Sequence, residues 1–242
     1  MKFDKLAKKN IKLLALYNEI NDWMPIISER GSSSEWGTSI SNGKAVIEFS
    51  PSDKSPSSLA HELLHFKVQK SGYKRLKVLA TKSMYQPMMN LLITALDNEL
   101  QHHKMYSYFI DLGYKKDKFY SPDDVNTKLY IESQLASLGN TFDELIILYL
   151  TIIAPGGCLS SSERNNFKKT IRSKFGSSAP FDEIDEDFSF WSSSSDYDLE
   201  PIVKKIFNLI DSSAKTWIGY DDGSGFPKSG FFIGKPFALD DF

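Results

Sequence analysis

The amino-acid sequence predicts an α+β fold in which helices predominate. Apolar residues recur at helical spacing in several long segments, which predicts amphipathic helices. Two short runs rich in β-forming residues, at 38–40 and 44–49, flank the dipeptide Asn42-Gly43. Asn-Gly between such runs is a strong signal for a β-hairpin, so we expect a small sheet beside the helices.

Length and composition limit the possible classes of protein. The 242 residues suit one large domain or a domain with an appendage, and 41% hydrophobic with 25% charged residues is typical of a globular chain. The net charge of −2 offers no electrostatic basis for binding nucleic acid or an anionic membrane. A single cysteine, Cys158, excludes an intrachain disulfide and a multi-cysteine zinc site. No apolar run approaches the roughly 20 residues of a membrane helix, and no secretory signal is visible, so we expect a cytoplasmic protein.

The N-terminal part is predicted to contain a helix, a loop, the hairpin and a second helix. Residues 3–22 carry apolar side chains at helical spacing, and the mainly polar stretch 31–37 predicts a loop. After the hairpin, Ser55 is a suitable N-cap, with Pro56 at the first helical position. The helix that follows is expected to end near Gly72, because glycine commonly stands just past a helix C-terminus.

Further helices are predicted before residue 176. They cover residues 87–110, 122–138, 141–153 and 162–174. The third of them is closed by Pro155-Gly156-Gly157, which does not continue a helix. Together with the N-terminal part, these helices make up a predicted domain of residues 1–175.

Residues 176–242 form a predicted C-terminal extension that packs on this domain. Residues 176–198 are rich in serine, aspartate and glutamate and predict a loop or mobile segment, although the aromatic residues among them argue against complete disorder. A helix is expected at 199–212. The remaining tail is rich in glycine and aromatic residues and predicts either short strands or an irregular coil.

The stretch His61-Glu62-Leu63-Leu64-His65 reads H-E-x-x-H on the predicted helix that begins after Ser55. His61 and His65 lie one turn apart on the same face of a helix and can each bind one Zn²⁺ through a ring nitrogen. Glu62 projects beside them, where its carboxylate can take a proton from a water activated by the metal. The strand, loop and capped helix predicted around the motif are the context that this chemistry needs.

A catalytic zinc usually has three protein ligands, so the motif needs a third. The two other histidines of the chain, His102 and His103, lie in the segment 97–103 on the next predicted helix. We expect Glu99 of the same segment as the third ligand, with His102 or His103 as alternatives. Asp97 is a weaker candidate, because it lies about 160° from Glu99 around the helix.

Two details of the sequence indicate a class of metalloprotein. Val68 and Ser71 stand where the extended metzincin motif requires glycine and histidine, so that class is excluded. Asn98-Glu99 resembles the N-E-x-x-x-D signature of gluzincins, in which the glutamate is the third ligand, although His103 stands where that family often has aspartate. Over roughly residues 38–110, the chain resembles a zincin of gluzincin type and is similar to the ImmA/IrrE-like bacterial metallopeptidases.

This resemblance implies a fold and a set of roles. It implies a mainly helical, zincin-like domain on a small twisted sheet, and zinc-dependent hydrolysis of a protein or peptide. His61, His65 and Glu99 would bind the zinc, and Glu62 would act as the general base. From its position on the helix, and not from the resemblance, we expect His103 to orient a ligand or to donate to the oxyanion that forms during hydrolysis. Further possible oxyanion donors are Tyr73, Tyr85 and Tyr106.

Two functions from different classes fit these expectations. The first is a zinc metallopeptidase in which an edge strand, at 44–49, holds an extended peptide through backbone hydrogen bonds. The alternative is a regulatory or binding module on a zincin scaffold with little or no turnover. In that case the segment 176–198 and the C-terminal tail would occlude the cleft or recruit a partner.

Overall fold

The computed structural model describes residues 2–31, 35–82, 86–120, 128–213, 215–221 and 228–236. In these residues the protein is α+β, as predicted, with nine α-helices and two three-stranded sheets. None of the helices in these ranges is both long and apolar enough to cross a membrane.

The predicted N-terminal helix is interrupted. Helix α1 (Phe3–Ala7) and helix α2 (Ile11–Trp23) are separated at Asn10, whose side chain accepts hydrogen bonds from the backbone N–H groups of Lys12 and Leu13. Asparagine is a preferred N-cap because its side chain satisfies backbone donors that have no partner within the helix. A new helix therefore starts at Ile11, inside a segment that the apolar spacing predicted as continuous.

The first sheet contains the predicted hairpin. Strands β1 (Ile26–Arg30), β2 (Gly37–Ser41) and β3 (Lys44–Phe49) are arranged in the order β1-β3-β2, with β1 parallel and β2 antiparallel to β3. Asn42 (φ 51°) and Gly43 (φ 69°) form the turn in the left-handed conformation that such hairpins require. The expectation that 44–49 is an edge strand is wrong. Strand β3 is central, because the unpredicted strand β1 pairs with its other side, and β2 is an edge.

Helix α3 (Pro56–Lys70) carries the H-E-x-x-H motif and begins as predicted. The Ser55 side chain accepts a hydrogen bond from the Ser58 backbone N–H, and Pro56 stands in the first turn. The chain leaves the helix through Gly72, at φ 113°. Strand β4 (Leu76–Thr81), which was not predicted, then leads towards helix α4 (Gln86–Asp111), the longest of the described helices.

The predicted helices of the second half are present. One helix that was not expected, α8, lies before the last of them, and two strands follow. In chain order the elements are α5 (Lys128–Ser137), α6 (Phe142–Ile153), α7 (Ser161–Phe175), α8 (Ala179–Ser193), α9 (Glu200–Ile210), β5 (Thr216–Tyr220) and β6 (Gly230–Ile233). Residues 122–127 of the predicted helix 122–138 lie outside the described ranges. The expectation of a loop at 176–198 is wrong, because helix α8 occupies most of it. Its apolar residues recur at helical spacing and are buried: Phe181, Ile184, Phe188 and Trp191.

The elements after residue 176 share one core with the rest of the chain. Strand β5 pairs antiparallel with β4 and with β6, so the second sheet has the order β4-β5-β6. Helix α8 packs on α4, where the indole Nε1 of Trp191 donates to the Leu100 carbonyl at 2.8 Å. Buried side chains from both parts form a single hydrophobic cluster. The C-terminal elements therefore complete the scaffold that positions α3 and α4.

Candidate metal centre

Helices α3 and α4 pack against each other and bring three histidines together. His61 and His65 come from α3 and His102 from α4, and one nitrogen of each ring lies within 4.8 Å of the other two. The Nε2 atoms of His61 and His65 are 3.3 Å apart. Among the described residues, these three make up the group of histidine, cysteine, aspartate and glutamate side chains that is close enough to hold a metal ion.

The ring orientation of His65 is set by a chain of hydrogen bonds. Its Nδ1 lies 3.0 Å from the Gln101 Oε1, and the Gln101 Nε2 donates to the Asp97 Oδ2 at 2.9 Å. Because the amide oxygen can only accept, Nδ1 of His65 carries the proton and Nε2 keeps a free electron pair. Asp97, a weak ligand candidate from the sequence, thus lies behind the site and acts through Gln101.

Asp97 is a buried hub of hydrogen bonds. Its Oδ1 accepts from the Tyr73 hydroxyl and from the Leu76 backbone N–H, each at 2.9 Å. Its Oδ2 accepts from the Arg75 Nε at 3.2 Å as well as from Gln101. These contacts tie α4 to the start of β4 and hold Gln101 in the orientation that His65 needs.

His102 is oriented from its Nδ1 side. This atom lies 3.1 Å from the Tyr120 hydroxyl and 3.4 Å from the Glu99 Oε1. The nitrogen that remains for the cluster is therefore Nε2. The second oxygen of Glu99, Oε2, is buried and has no hydrogen-bond partner in the described part of the chain. Glu99 lies behind His102, where a carboxyl group orients the ring rather than joining the three nitrogens.

Burial keeps these groups uncharged. Burial lowers the pKa of His61 well below its ordinary value, and His102 lowers it further. The pKa of His65 is also far below the ordinary value, through burial and the two neighbouring histidines, and burial lowers the pKa of His102 to about 3. Burial raises the pKa of Glu99 to about 8, although the charge of Arg164 opposes this. At neutral pH the contact between Glu99 and His102 is therefore not an ion pair, and all three histidines are in the neutral form that binds metals.

The histidines lie in a cavity of about 330 Å³. Glu62, buried on α3, lines the same cavity, as the H-E-x-x-H pattern predicts. The walls come from β2 and the residue before it, from the residue before β4, and from the segment after α4. Their residues include Trp36, Gly37, Thr38, Arg75, Lys118, Phe119 and Tyr120. Every described residue that lines the cavity precedes residue 121.

A tight contact holds the segment after α4 against the histidines. The buried Phe119 ring lies 4.8 Å from the His61 ring and 5.4 Å from the His102 ring, between centroids. Behind it, Gly156 (φ 73°) approaches so closely that a Cβ atom there would lie 2.8 Å from a ring carbon of Tyr106 and 3.0 Å from the Phe119 Cβ. The glycine after α6 thus serves both a turn and this close approach.

The structure does not bring His103 to the cavity. Its ring packs on Phe188 of α8, with the centroids 4.8 Å apart, and burial lowers its pKa to about 3. Of the tyrosines considered as oxyanion donors, Tyr73 bonds to Asp97, Tyr106 packs edge-on against Phe119, and Tyr85 lies outside the described residues.

Sequence reasoning missed Tyr120 and Gln101. Both act through hydrogen bonds to the histidines, and such contacts leave no fixed spacing in the sequence. The position of Gln101, directly before His102, was the available signal.

The donor set fits zinc. In a tetrahedral site with Zn–N bonds of about 2.0–2.1 Å, neighbouring nitrogens lie about 3.3–3.4 Å apart. The 3.3 Å separation between the Nε2 atoms of His61 and His65 has this value, and a nitrogen of His102 lies within 4.8 Å of both rings' nitrogens. Three neutral imidazoles would supply three ligands to a zinc ion, which is the number that catalytic zinc sites usually take from the protein. No protein-family model, no curated protein and no solved structure significantly matches this chain.

Proposed function

We propose that this protein is a zinc-dependent metallopeptidase with a zincin-like arrangement of its site. His61, His65 and His102 hold the zinc, and Glu62 is the general base. The observation that carries the proposal is the convergence of three neutral imidazole nitrogens in a cavity that a buried glutamate of the H-E-x-x-H motif also lines. The pairing of a three-ligand zinc with a neighbouring carboxylate is typical of metal-assisted hydrolysis.

We assign the third-ligand role to His102. The sequence favoured Glu99 and left His102 and His103 as alternatives. Three observations support His102: its nitrogen belongs to the cluster, Glu99 lies behind it, and His103 packs on α8. Glu99 is then a positioning residue, since a carboxyl group on the Nδ1 side of a ligating histidine fixes the ring and strengthens the ligand.

Zinc and the side chains of the site would have separate roles in peptide hydrolysis. When bound, zinc supplies Lewis acidity for the scissile carbonyl and lowers the pKa of a water to about 7. Glu62 takes the proton from the attacking water and passes it to the amine that leaves. The Tyr120 hydroxyl, 3.1 Å from the His102 Nδ1, helps to hold that ring with its Nε2 towards the other two histidines.

An extended peptide fits the edge of β2. The two-residue hairpin makes Ser41 and Lys44 a hydrogen-bonded pair, so by alternation the backbone groups of Thr38 and Ile40 face away from β3. Gly37 and Thr38 also line the cavity. A substrate strand added to this edge would pass over the histidines. Strand β2 therefore takes the peptide-binding role that the sequence suggested for strand 44–49.

The alternative function, a regulatory or binding module without turnover, finds less support. It assigned to the segment 176–198 and the tail a role in covering the cleft. Within the described ranges, α8 and the elements after it contribute no residue to the cavity, and α8 packs on α4 through its buried aromatic side chains. The described residues of this segment therefore give no support to a role in covering the cavity.

The experiment is a comparison of the wild-type protein with Glu62→Gln. We expect one equivalent of zinc in both proteins by elemental analysis, and a decrease of roughly 10²–10⁴-fold in cleavage of a peptide library by the variant. Glu186→Gln removes an exposed glutamate of α8 and should leave both quantities unchanged. Unchanged cleavage in Glu62→Gln would contradict the general-base role. A protein that binds no zinc would instead indicate a metal-free helical interaction protein.

A further inference from the structure

A cation lies at the cavity wall with part of its hydrogen-bonding capacity unused. Arg75 precedes β4 and lines the cavity together with His61 and His65. Its Nε donates to Asp97 at 3.2 Å, and its Nη1 reaches the Thr38 carbonyl at a long 3.4 Å. A guanidinium has five N–H donors, so three have no partner among the described residues. The pKa of His65 is lowered mainly by burial and by the neighbouring histidines. The charge of Arg75 lowers it further, which indicates that the two groups are close.

The hydrogen bond to Asp97 fixes the orientation of the Arg75 guanidinium. The buried Asp97 takes the Nε–H of the guanidinium and the Thr38 carbonyl takes one N–H of Nη1, which leaves one N–H of Nη1 and both of Nη2 for a ligand. This geometry suits the planar, two-pronged recognition of a carboxylate, for which arginine is the preferred side chain.

A second cation lies on the segment after α4. Lys118 belongs to a 3₁₀ turn at Lys116–Lys118 and lines the same cavity. Its ammonium forms no ion pair with any carboxylate in the described ranges, whereas Lys67 and Lys168 each pair with one. Lys118 and Arg75 come from separate segments of the chain, and both line the cavity that holds the histidines.

A bound metal would add positive charge to the cavity. Among the described residues that line it, the carboxylates are Glu62 and Glu35, and Glu35 is exposed to solvent. These two anions balance Arg75 and Lys118, so a divalent ion on three neutral histidines would make this part of the lining positive. In a partly desolvated cavity this charge favours an anionic ligand.

We propose that the cavity selects peptides that carry a carboxylate close to the bond that is cleaved, with Arg75 as the principal receptor and Lys118 as the second. The carboxylate is either the side chain of an aspartate or glutamate or the free C-terminus of the peptide. The cleavage part rests on the function proposed above. The preference for a carboxylate rests on the two cations and is measurable as binding alone.

The test uses three pools of tritium-acetylated hexapeptides whose other positions hold neutral residues. One pool has a central glutamate and an amidated C-terminus, the second a central glutamine and an amidated C-terminus, and the third a central glutamine and a free C-terminus. Equilibrium dialysis against the zinc-treated Glu62→Gln protein measures binding without turnover, and mass spectrometry measures cleavage by the wild-type protein. We expect at least one carboxylate pool to be bound and cleaved about tenfold better than the neutral pool.

The pools and variants separate the outcomes. Preference for the first pool identifies an acidic side chain, and preference for the third identifies the C-terminal carboxylate. Arg75→Gln should abolish the preference and Lys118→Gln should reduce it about threefold, whereas Lys115→Gln, an equally exposed lysine outside the cavity, should not change it. If Arg75→Gln fails to fold because Asp97 loses its partner, the exposed Lys118 variant still tests the proposal.

The inference would be overturned if the Glu62→Gln protein bound the three pools equally and the wild-type protein cleaved them equally. The peptidase function would then still stand. A carboxylate preference in dialysis without any cleavage would support the binding site and count against the peptidase. The two proposals therefore fail separately.

Discussion

His102 and Glu99 lie one turn apart on α4, and their different positions define different roles. A ligand contributes directly to metal affinity, whereas a group behind the ligand contributes through orientation, typically 10–100-fold. We therefore expect His102→Ala to lose stoichiometric zinc, and Glu99→Gln to keep one equivalent with an affinity lowered by about that factor. Competition with a zinc-binding dye measures both constants. The reverse order, with the larger loss in Glu99→Gln, would return the third-ligand role to Glu99.

The raised pKa of Glu99 makes a second prediction, for the metal-free protein. Burial raises this pKa to about 8 from an ordinary value of 4.5, so the folded state holds the proton more tightly than the unfolded chain. This stabilising contribution is complete below pH 4.5 and is lost as the pH rises towards 8. At about 1.4 kcal/mol per pKa unit, the loss amounts to several kcal/mol.

Glu99→Gln keeps a neutral side chain of similar shape at every pH. Urea unfolding in the presence of a chelator should therefore show that the variant gains stability relative to the wild type between pH 5 and pH 8. The difference isolates Glu99, since the buried histidines, whose pKa values are lowered, affect both proteins alike. A stability difference that does not change with pH would contradict the assignment of a protonated Glu99.

The sequence could predict the residues that α3 contributes to the site, but not which residue of α4 joins them. The spacing in H-E-x-x-H determines that His61 and His65 share a helix face, whatever surrounds the helix. For the partner helix the spacing is not decisive, because His102 and His103 lie about 60° and 40° to either side of Glu99. The rotation of α4 depends on which of its faces is buried, and that in turn depends on α8, which packs on His103. The sequence pattern of α4 alone does not contain this information.

Among the elements, α8 shows why composition misled the prediction. Its serines and acidic residues suggested a loop, but the charges face neighbouring helices rather than solvent alone. Asp185 pairs with Lys168 at 2.7 Å and with Arg172 at 2.8 Å, both on α7. Such partly buried networks depend on tertiary packing, whereas the helical spacing of the buried aromatic residues was readable from the sequence. The hairpin and α3 were predicted correctly because their signals are local.

The turn after α6 contacts the segment that packs against the three histidines. A side chain at Gly156 would meet Tyr106 and Phe119, and the positive φ adds strain for any other residue. We expect Gly156→Ala to lower the free energy of unfolding by about 2–3 kcal/mol and to weaken zinc binding, because Phe119 must move away from His61 and His102. Urea unfolding and zinc titration measure the two effects.

Gly176 provides the matched control for this variant. It has a similar positive φ, 86°, but an added Cβ would meet nothing within 4 Å. Gly176→Ala should therefore cost only the conformational strain, about 1 kcal/mol, and leave zinc binding unchanged. Equal zinc affinities in the two variants would show that the contact behind Phe119 does not position the histidines.

On the scale of the whole molecule, the second sheet joins distant parts of the chain. Strand β4 pairs with β5 in the register Thr81 with Thr216, a separation of well over one hundred residues. Short strands of this kind have weak local signals, and their pairing is decided by the core that they cover. The sequence thus indicated possible strands in the tail but could not predict that they pair with β4. As a result, a predicted extension is part of the same folding unit.

Removal of residues 176–242 tests this view of the molecule. The deletion would uncover one edge of β4 and the face of α4 that Trp191 covers, and it would remove a large part of the shared hydrophobic cluster. We expect the fragment 1–175 to be insoluble or unfolded by circular dichroism, because the lost apolar burial exceeds the stability of about 5–15 kcal/mol that a typical domain has. Co-expression of 176–242 as a separate chain should restore a soluble complex that binds zinc. A fragment 1–175 that is soluble and more active than the full chain would instead show that the C-terminal elements are autoinhibitory.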